Sequence, residues 1–448
     1  MPFLTSKLNR RSLSRNCSYD LALIANVATP VLLLGAVEHG PLGILRSLGR
    51  LRVPVYVCES DRWSPALFSR YCREAFPIPL GDCADHELVR KFERVAQRIG
   101  QRAILLPTTD AMSVFVAEHA DELRQWFLLP EQNAGLVRSM ACKHAMHGLA
   151  KRHGLATAES YFPLSRADVM NFAARAVYPV LLKAITAMDL WHGLYKRVFI
   201  AHNAAELMQR YDSIPDSQRW NVMLQEYIPG GDDAVWMFNG YFNRDSECLA
   251  GYTGRKLRQC PVYCGVASLG VCETNQEVAD ESKRFLRSAG YCGPVDIDYK
   301  RDPRDGQYKV LDVNPRIGAS FRVCVSDNGM DVVRALYLDL TGQKVVPGRP
   351  LEGRKWLVED LDSVSCIRYS RNGILMRHNW LQSYRGVEET AYFAADDPMP
   401  LLPMCVIDSR KAASRIAQRV RGGLQSVRRT RKVQDGIGRR HLPRTFPE

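Results

Sequence analysis

Short apolar runs alternate with helix-period segments over the first third of the chain. Residues 31–34, 53–57 and 103–106 are nearly pure Val, Leu, Ile and Ala, the signature of strands buried on both faces of a parallel sheet. Around them the apolar positions take helical spacing, with one helix ending near Gly49, between the first two runs, and another over 111–122, after the third. Gly35, Gly40 and Gly43 mark the first strand-to-helix turn, but their spacing departs from G-x-G-x-x-G. A nicotinamide-dependent reading of this sheet therefore lacks its fingerprint. Thr108, Thr109 and Asp110 follow a strand's carboxyl end, where such sheets bind ligands.

The period then changes. A helix is expected over 140–153, stopped by Gly154, and a buried strand over 179–184 that carries Lys183 in an apolar setting. A lysine rarely sits there without an anionic partner. From 293 to 316 the alternation becomes strictly two-residue: Val295, Ile297 and Tyr299 against Asp296, Asp298 and Lys300, then Leu311 and Val313 against Asp312 and Asn314. Asp302-Pro303 and Asp305-Gly306 supply the turn. A hairpin centred near Asp305 sets Asp298 opposite Asp312. Like charges facing each other on a sheet are destabilising, so the pair is expected to hold a cation. Hard oxygen donors of this kind suit Mg²⁺, and Arg316 adds a positive charge just beyond them.

Composition narrows the picture. The 448 residues are 46% apolar and 24% charged, ordinary for a chain with sizeable cores and long enough for two or three domains. The net charge of +13 is concentrated at the ends. Residues 1–20 carry four Lys or Arg against Asp20, residues 409–448 carry twelve against Asp435 and Glu448, and the remainder is neutral. A folded nucleic-acid-binding face is not expected. The basic ends are read as solvated tails, with weak contact to a membrane surface or nucleic acid through the C-terminal one as the alternative. Thirteen scattered Cys without a C-x-x-C pair argue for reduced thiols in a cytoplasmic protein. The apolar run 21–36 after Arg10-Arg11 has the look of an export signal, but Asn26, Thr29 and Pro30 interrupt it.

The segment D-I-D…D-V-N-P-R, together with Lys183 in P-V-L-L-K-A, resembles the ATP-grasp superfamily over roughly residues 30–407. Within it the chain is most similar to poorly characterised carboxylate–amine ligases and to the ATP-binding domain of the carbamoyl-phosphate synthetase large subunit. The resemblance implies a mixed α/β and α+β protein. A basic segment (1–29) would precede an N-terminal parallel-sheet domain (30–135) and a two-lobed ATP-grasp domain (136–345). A C-terminal subdomain (346–407) packed on the ATP domain and a disordered basic tail (408–448) would follow.

It also implies roles. Asp298, Asp312 and Asn314 would hold two Mg²⁺ ions, with Mn²⁺ as a substitute, and Arg316 would face the reacting phosphate or carboxylate. Asp312 stands where Glu is commoner. Lys143, Lys183 and Lys196 would contact the ATP phosphates, the last just after a lid at 186–195 whose single glycine is Gly193. Glu226, Tyr227 and Ile228, in Q-E-Y-I-P-G-G-D-D, would hold adenine, and Asp233 the ribose, with Asp232 as competitor. Lys256 and Arg258, on one face of a strand, would steady an acyl phosphate or carboxylate. The activity implied is an ADP-producing, amide- or peptide-forming ligase acting on small carboxylates and amines. A non-catalytic ATP-binding module and a bicarbonate-activating carboxylase are the alternatives.

Overall fold

The computed structural model describes residues 24–36, 39–185, 198–263, 265–373 and 377–410. The expected lid, Lys196 and nearly all of the basic tail lie outside these residues. Among the described residues three sheets form. The first is wholly parallel, with β1 (Val31–Leu34), β2 (Val55–Cys58), β3 (Cys72–Phe76), β4 (Ala103–Pro107) and β5 (Phe127–Leu128) in the order β3-β2-β1-β4-β5. The apolar runs become its inner strands because helices cover both faces, as parallel sheets require. The helix His39–Gly49 buries Leu42, Ile44, Leu45 and Leu48 on one face, and Asp85–Ile99 buries Leu88, Val89 and Phe92 on the other.

The second sheet is small and antiparallel: β6 (Ser160–Tyr161), β7 (Val180–Ala184), β8 (Val198–Ala201) and β9 (Val222–Glu226), in the order β6-β9-β7-β8. Its core is built from Val180, Leu182, Val222 and Leu224, so Lys183 alternates out of that core.

The third sheet has seven strands. β10 (Val235–Phe242), β11 (Cys248–Cys260), β12 (Val266–Cys272), β13 (Gly293–Arg301), β14 (Tyr308–Asn314), β15 (Lys355–Leu357) and β16 (Val387–Thr390) lie in the order β14-β13-β10-β11-β12-β15-β16. Val295, Ile297, Tyr299, Val310 and Val313 bury one face of β13 and β14 against the helix Gln276–Ser288. Their acidic neighbours are thereby turned to the other face. The C-terminal segment adds β15 and β16 to this sheet and also reaches the first one. Leu45 and Leu48 share one apolar core with Phe321, Leu336, Trp356 and Met404.

That joint is reinforced by buried charge. Arg46 Nε donates to Asp397 Oδ2 at 2.9 Å, with each side chain 1% exposed, and its other nitrogens donate to Ala391 O, Tyr392 O and Asp397 O. Arg50 pairs with Asp396 at 2.9 Å, and the Tyr71 hydroxyl donates to the same carboxylate. Among the described residues no helix is long and apolar enough to cross a membrane.

Candidate active site

The hairpin sets the site. Asp302, fully buried, accepts from the Arg304 backbone N–H, the Arg304 guanidinium and the Lys309 ammonium, and Gly306 takes φ +76° to close the turn. These donors hold the Asp302 carboxyl well below the usual range, the Arg304 side chain foremost. The turn pairs Arg301 with Tyr308, Lys300 with Lys309 and Tyr299 with Val310, and a β-bulge then shifts the register by one residue, so that Asp298 faces Asp312 and Asp296 faces Asn314. The expected pairing of 298 with 312 is the one observed. β10 continues the rows, with Met237 beside Asp298 and Asn239 beside Asp296.

Two cations meet this acidic surface. Lys256 Nζ, on a side chain 4% exposed, donates to Asp298 Oδ2 at 2.8 Å and to Gly265 O at 3.3 Å. Arg316 Nε donates to Asp110 Oδ1 at 2.8 Å, while its Nη2 reaches Asn314 Oδ1 at 3.4 Å. Arg316 thus ties the hairpin's exit to the carboxyl edge of the first sheet, and Asp110 joins the site as its position after β4 suggests. Burial raises the Asp110 carboxyl, with Arg316 pulling the other way and the Asp312 charge adding to the rise.

Asp296 was not among the expected site residues. Burial raises its carboxyl, and the Asp298 charge raises it further. Asn314 Nδ2 approaches its Oδ2 only at 3.4 Å, and the neighbouring Asn239 Oδ1 is buried without a hydrogen-bond partner. A Cβ on Gly318 would come within 2.7 Å of both Asn239 Oδ1 and Asp296 Oδ1, so glycine is required there. The two-residue alternation that singles out Asp298 points equally to Asp296.

Lys183 and Lys143 line one pocket between the small sheet and the hairpin, with Ser160, Gln225 and Leu311. Lys183 Nζ donates to Gln225 Oε1 at 2.6 Å, and Gln225 in turn donates to Ser160 Oγ. The expected 140–153 helix is broken: Ala134–Ala141 ends at Cys142, whose extended backbone starts a new helix, Lys143–Arg152. Lys143 therefore opens a helix, where backbone N–H groups also favour an anion.

The hinge is tied to the hairpin through Glu226, whose carboxylate accepts from Arg304 at 2.6 Å and Lys309 at 3.1 Å. Its backbone N–H is given to Glu159 O at 2.9 Å. Ile228 is buried, and the Tyr227 ring lies 5.1 Å from the Lys300 ammonium. Asp233 is exposed and lines a separate open cleft with Trp236, Arg255 and Tyr308. Trp236 pairs with Tyr299, on the sheet face opposite Asp298. The competitor, Asp232, accepts from Gln259 at 2.6 Å and from the Tyr369 hydroxyl.

The structure separates Lys256 from Arg258. The strand is irregular between them, and Arg258 makes a two-pronged pair with Asp362 at 2.8 Å, both side chains nearly buried, with its guanidinium 5.3 Å from the Tyr384 ring. It serves the packing of the helix Glu359–Arg371 in this structure.

The donor set fits Mg²⁺. Among the described residues no group of three His, Cys, Asp or Glu forms a complete metal cage. Mg²⁺ needs none, since one or two carboxylates suffice when phosphate oxygens and water fill the shell. Asp298, Asp312 and Asn314 supply hard oxygens on one face, and the Lys256 ammonium on Asp298 shows that this face takes a cation.

The family model described as "Carbamoyl-phosphate synthase L chain, ATP binding domain" matches residues 270–343, which span the hairpin and Arg316. The biotin carboxylase domain of Hydrogenobacter thermophilus 2-oxoglutarate carboxylase, solved with MgADP, ADP and bicarbonate, superposes with TM-score 0.54 at 15% identity, covering 72% of each chain. The fold is ATP-grasp. A second ATP-grasp neighbour, Staphylococcus aureus N5-carboxyaminoimidazole synthetase complexed with ADP, has TM-score 0.56 at 12% identity over 74% of this chain and 83% of its own. Among curated proteins, the D-aspartate ligase of Enterococcus faecium (strain Aus0004) is 22% identical over 295 residues, covering 62% of this chain and 69% of the relative.

Proposed function

We propose that this ATP-grasp chain is a ligase that uses ATP to join a small carboxylate to an amine through an acyl phosphate, releasing ADP. The observation that carries the reading is the Asp298–Asp312–Asn314 row with Arg316 at its end, beside a pocket where Lys143 and Lys183 meet Val310 and Leu311 of the same hairpin. Asp298, Asp312 and Asn314 would hold Mg²⁺, as two ions and with Mn²⁺ as a substitute. When bound, the metal would neutralise polyphosphate charge. Lys143 and Lys183 add positive charge from the pocket beside it. The hinge backbone at Glu226, Tyr227 and Ile228 would meet adenine, and Asp232, which senses the Lys256 charge, would take the ribose in preference to Asp233 in its separate cleft.

The substrate carboxylate oxygen attacks the γ-phosphorus as the bond to the ADP oxygen breaks. The amine then displaces phosphate from the mixed anhydride and loses a proton to solvent. Arg316 faces the carboxylate in both steps, and Lys256, freed from Asp298, steadies the acyl phosphate. Positioning and charge stabilisation carry the chemistry, since phosphoryl transfer needs little covalent help. The D-aspartate ligase relative supports an amine-joining reaction, and a cytoplasmic location suits a consumer of ATP.

The test is Mg²⁺-dependent ADP release with separate pools of amino acids including D-aspartate, dipeptides, small carboxylic acids and bicarbonate, against Lys183→Ala. ADP with one amine-containing pool supports the ligase. ADP with bicarbonate alone moves the reading to a carboxylase, and tight ATP binding without ADP from any pool moves it to a binding module.

A further inference from the structure

The first sheet reverses its winding between β1 and β4, and the carboxyl ends of these strands form the edge that faces the hairpin. That edge is tightly made. Thr108 Oγ1 donates to Leu34 O at 2.9 Å and Gly35 O at 3.0 Å, and Gly35 takes φ +93° beneath it. Thr109 caps the helix Asp110–Glu118 by accepting from the Met112 N–H. Asp110 is therefore held at the first helical position with its carboxylate outward, where it meets Arg316 Nε at 2.8 Å across 206 residues of chain.

A long arginine needs an anchor to present a defined edge. The local contacts of Arg316, to Ile317 O at 3.2 Å and Asn314 Oδ1 at 3.4 Å, are at or beyond the long limit of hydrogen bonding. The bond to Asp110, at 2.8 Å, is short and charge-assisted. The pair is 19% and 42% exposed, a setting in which an ion pair adds little to stability. The first sheet does not depend on it for docking, because Arg46–Asp397, Arg50–Asp396 and the shared apolar core do that work.

We propose that Asp110 is a positioning residue of the ligase site: its carboxylate orients the Arg316 guanidinium toward the reacting carboxylate, so that turnover requires this edge of the first sheet. The inference rests on the ligase reading for its kinetic arm only. With the acceptor pool that supports ADP release in the wild type, Asp110→Asn should lower kcat about 10- to 100-fold, the range expected when a catalytic group is misplaced by an ångström or less. The KM for ATP and the melting temperature should stay near wild type, and Asp110→Glu should recover part of the loss. In an Arg316→Lys background the Asp110→Asn loss should largely vanish.

Wild-type kcat in Asp110→Asn, losses that multiply in the double variant, or a melting temperature that falls in step with activity would each overturn the proposal. A second readout needs no acceptor. The Arg316 Nε–H signal in ¹⁵N-labelled protein, assigned by its disappearance in Arg316→Lys, should be protected from solvent exchange in the wild type and unprotected in Asp110→Asn. If it is equally protected in both, the positioning role fails even where the ligase reading stands. If no pool yields ADP while protection changes as expected, the ligase reading fails and the contact stands.

Discussion

Two charged clusters in this protein use the same side chains to opposite ends. In the C-terminal latch, Glu389 lies between Arg322 at 2.6 Å and Arg354, while Asp396 takes Arg50 and Tyr71. Burial works against these carboxylates, but the guanidinium partners prevail: Glu389 is held well below the usual carboxyl range, and Asp396 falls to about 2. In the hairpin row, Asp296, Asp298 and Asp312 crowd one face, with Lys256 bonded to Asp298 alone among the three in this structure. Burial and the Asp298 charge raise Asp296 instead. Carboxylates that go down, as Glu389 and Asp396 do, are matched within the protein. A cluster whose carboxylate goes up is missing positive charge, and a ligand can supply it.

The sharpest way to break this contrast is to delete one carboxylate from the hairpin row. Asp312→Ala should reduce ADP release by about 10³-fold or more, several kcal/mol of transition-state stabilisation, with the melting temperature unchanged or raised as like-charge repulsion is relieved. Retained turnover would remove the metal assignment. In the latch the same kind of deletion should do the reverse. Arg46→Ala leaves the Asp397 charge buried without its cation, held by the Ser69 hydroxyl and the Arg70 N–H, an expected cost of about 3–5 kcal/mol seen in thermal melting, with the ATP KM of the folded fraction unchanged.

Lys183→Ala tests the pocket beside the hairpin row. Loss of a charge-assisted contact to phosphate should raise the KM for ATP about 10- to 100-fold without lowering the melting temperature. The smallest effect concerns pH. Glu389 and Asp396 titrate lower in the folded protein than in the unfolded chain, so their stabilisation is whole above about pH 5 and drains as pH falls, that of Asp396 toward about 2 and that of Glu389 further still. Asp396→Asn should flatten that acid limb of the melting curve; an unaltered limb would show that Asp396 contributes nothing to it.

Much of the site was readable in advance because its determinants are local. Turn residues at Asp302 and Gly306 and alternation around them place Asp298 near Asp312, but a β-bulge in β14 sets the final register, with Val310 and Val313 both facing the core and Leu311 lining the pocket. Lys183 stood out as a charge in an apolar strand and does line the pocket with Lys143. Asp296 was passed over because alternation alone cannot rank it against Asp298; its distinguishing neighbours, Asn239 and Gly318, come from a third strand and a later turn. The helix over 140–153 was drawn through Cys142 since apolar spacing persists across the break.

The sequence by itself determined the three kinds of strand, the hairpin and the acidic row, all products of side-chain period and turn chemistry acting within about twenty residues. Only tertiary structure decided where each long cation went. Arg258 found Asp362 across 104 residues, Arg316 found Asp110 across 206, and Arg46 found Asp397 across 351. Such choices depend on which elements pack together, because a flexible charged side chain reaches several ångströms and carries no local signal of its partner.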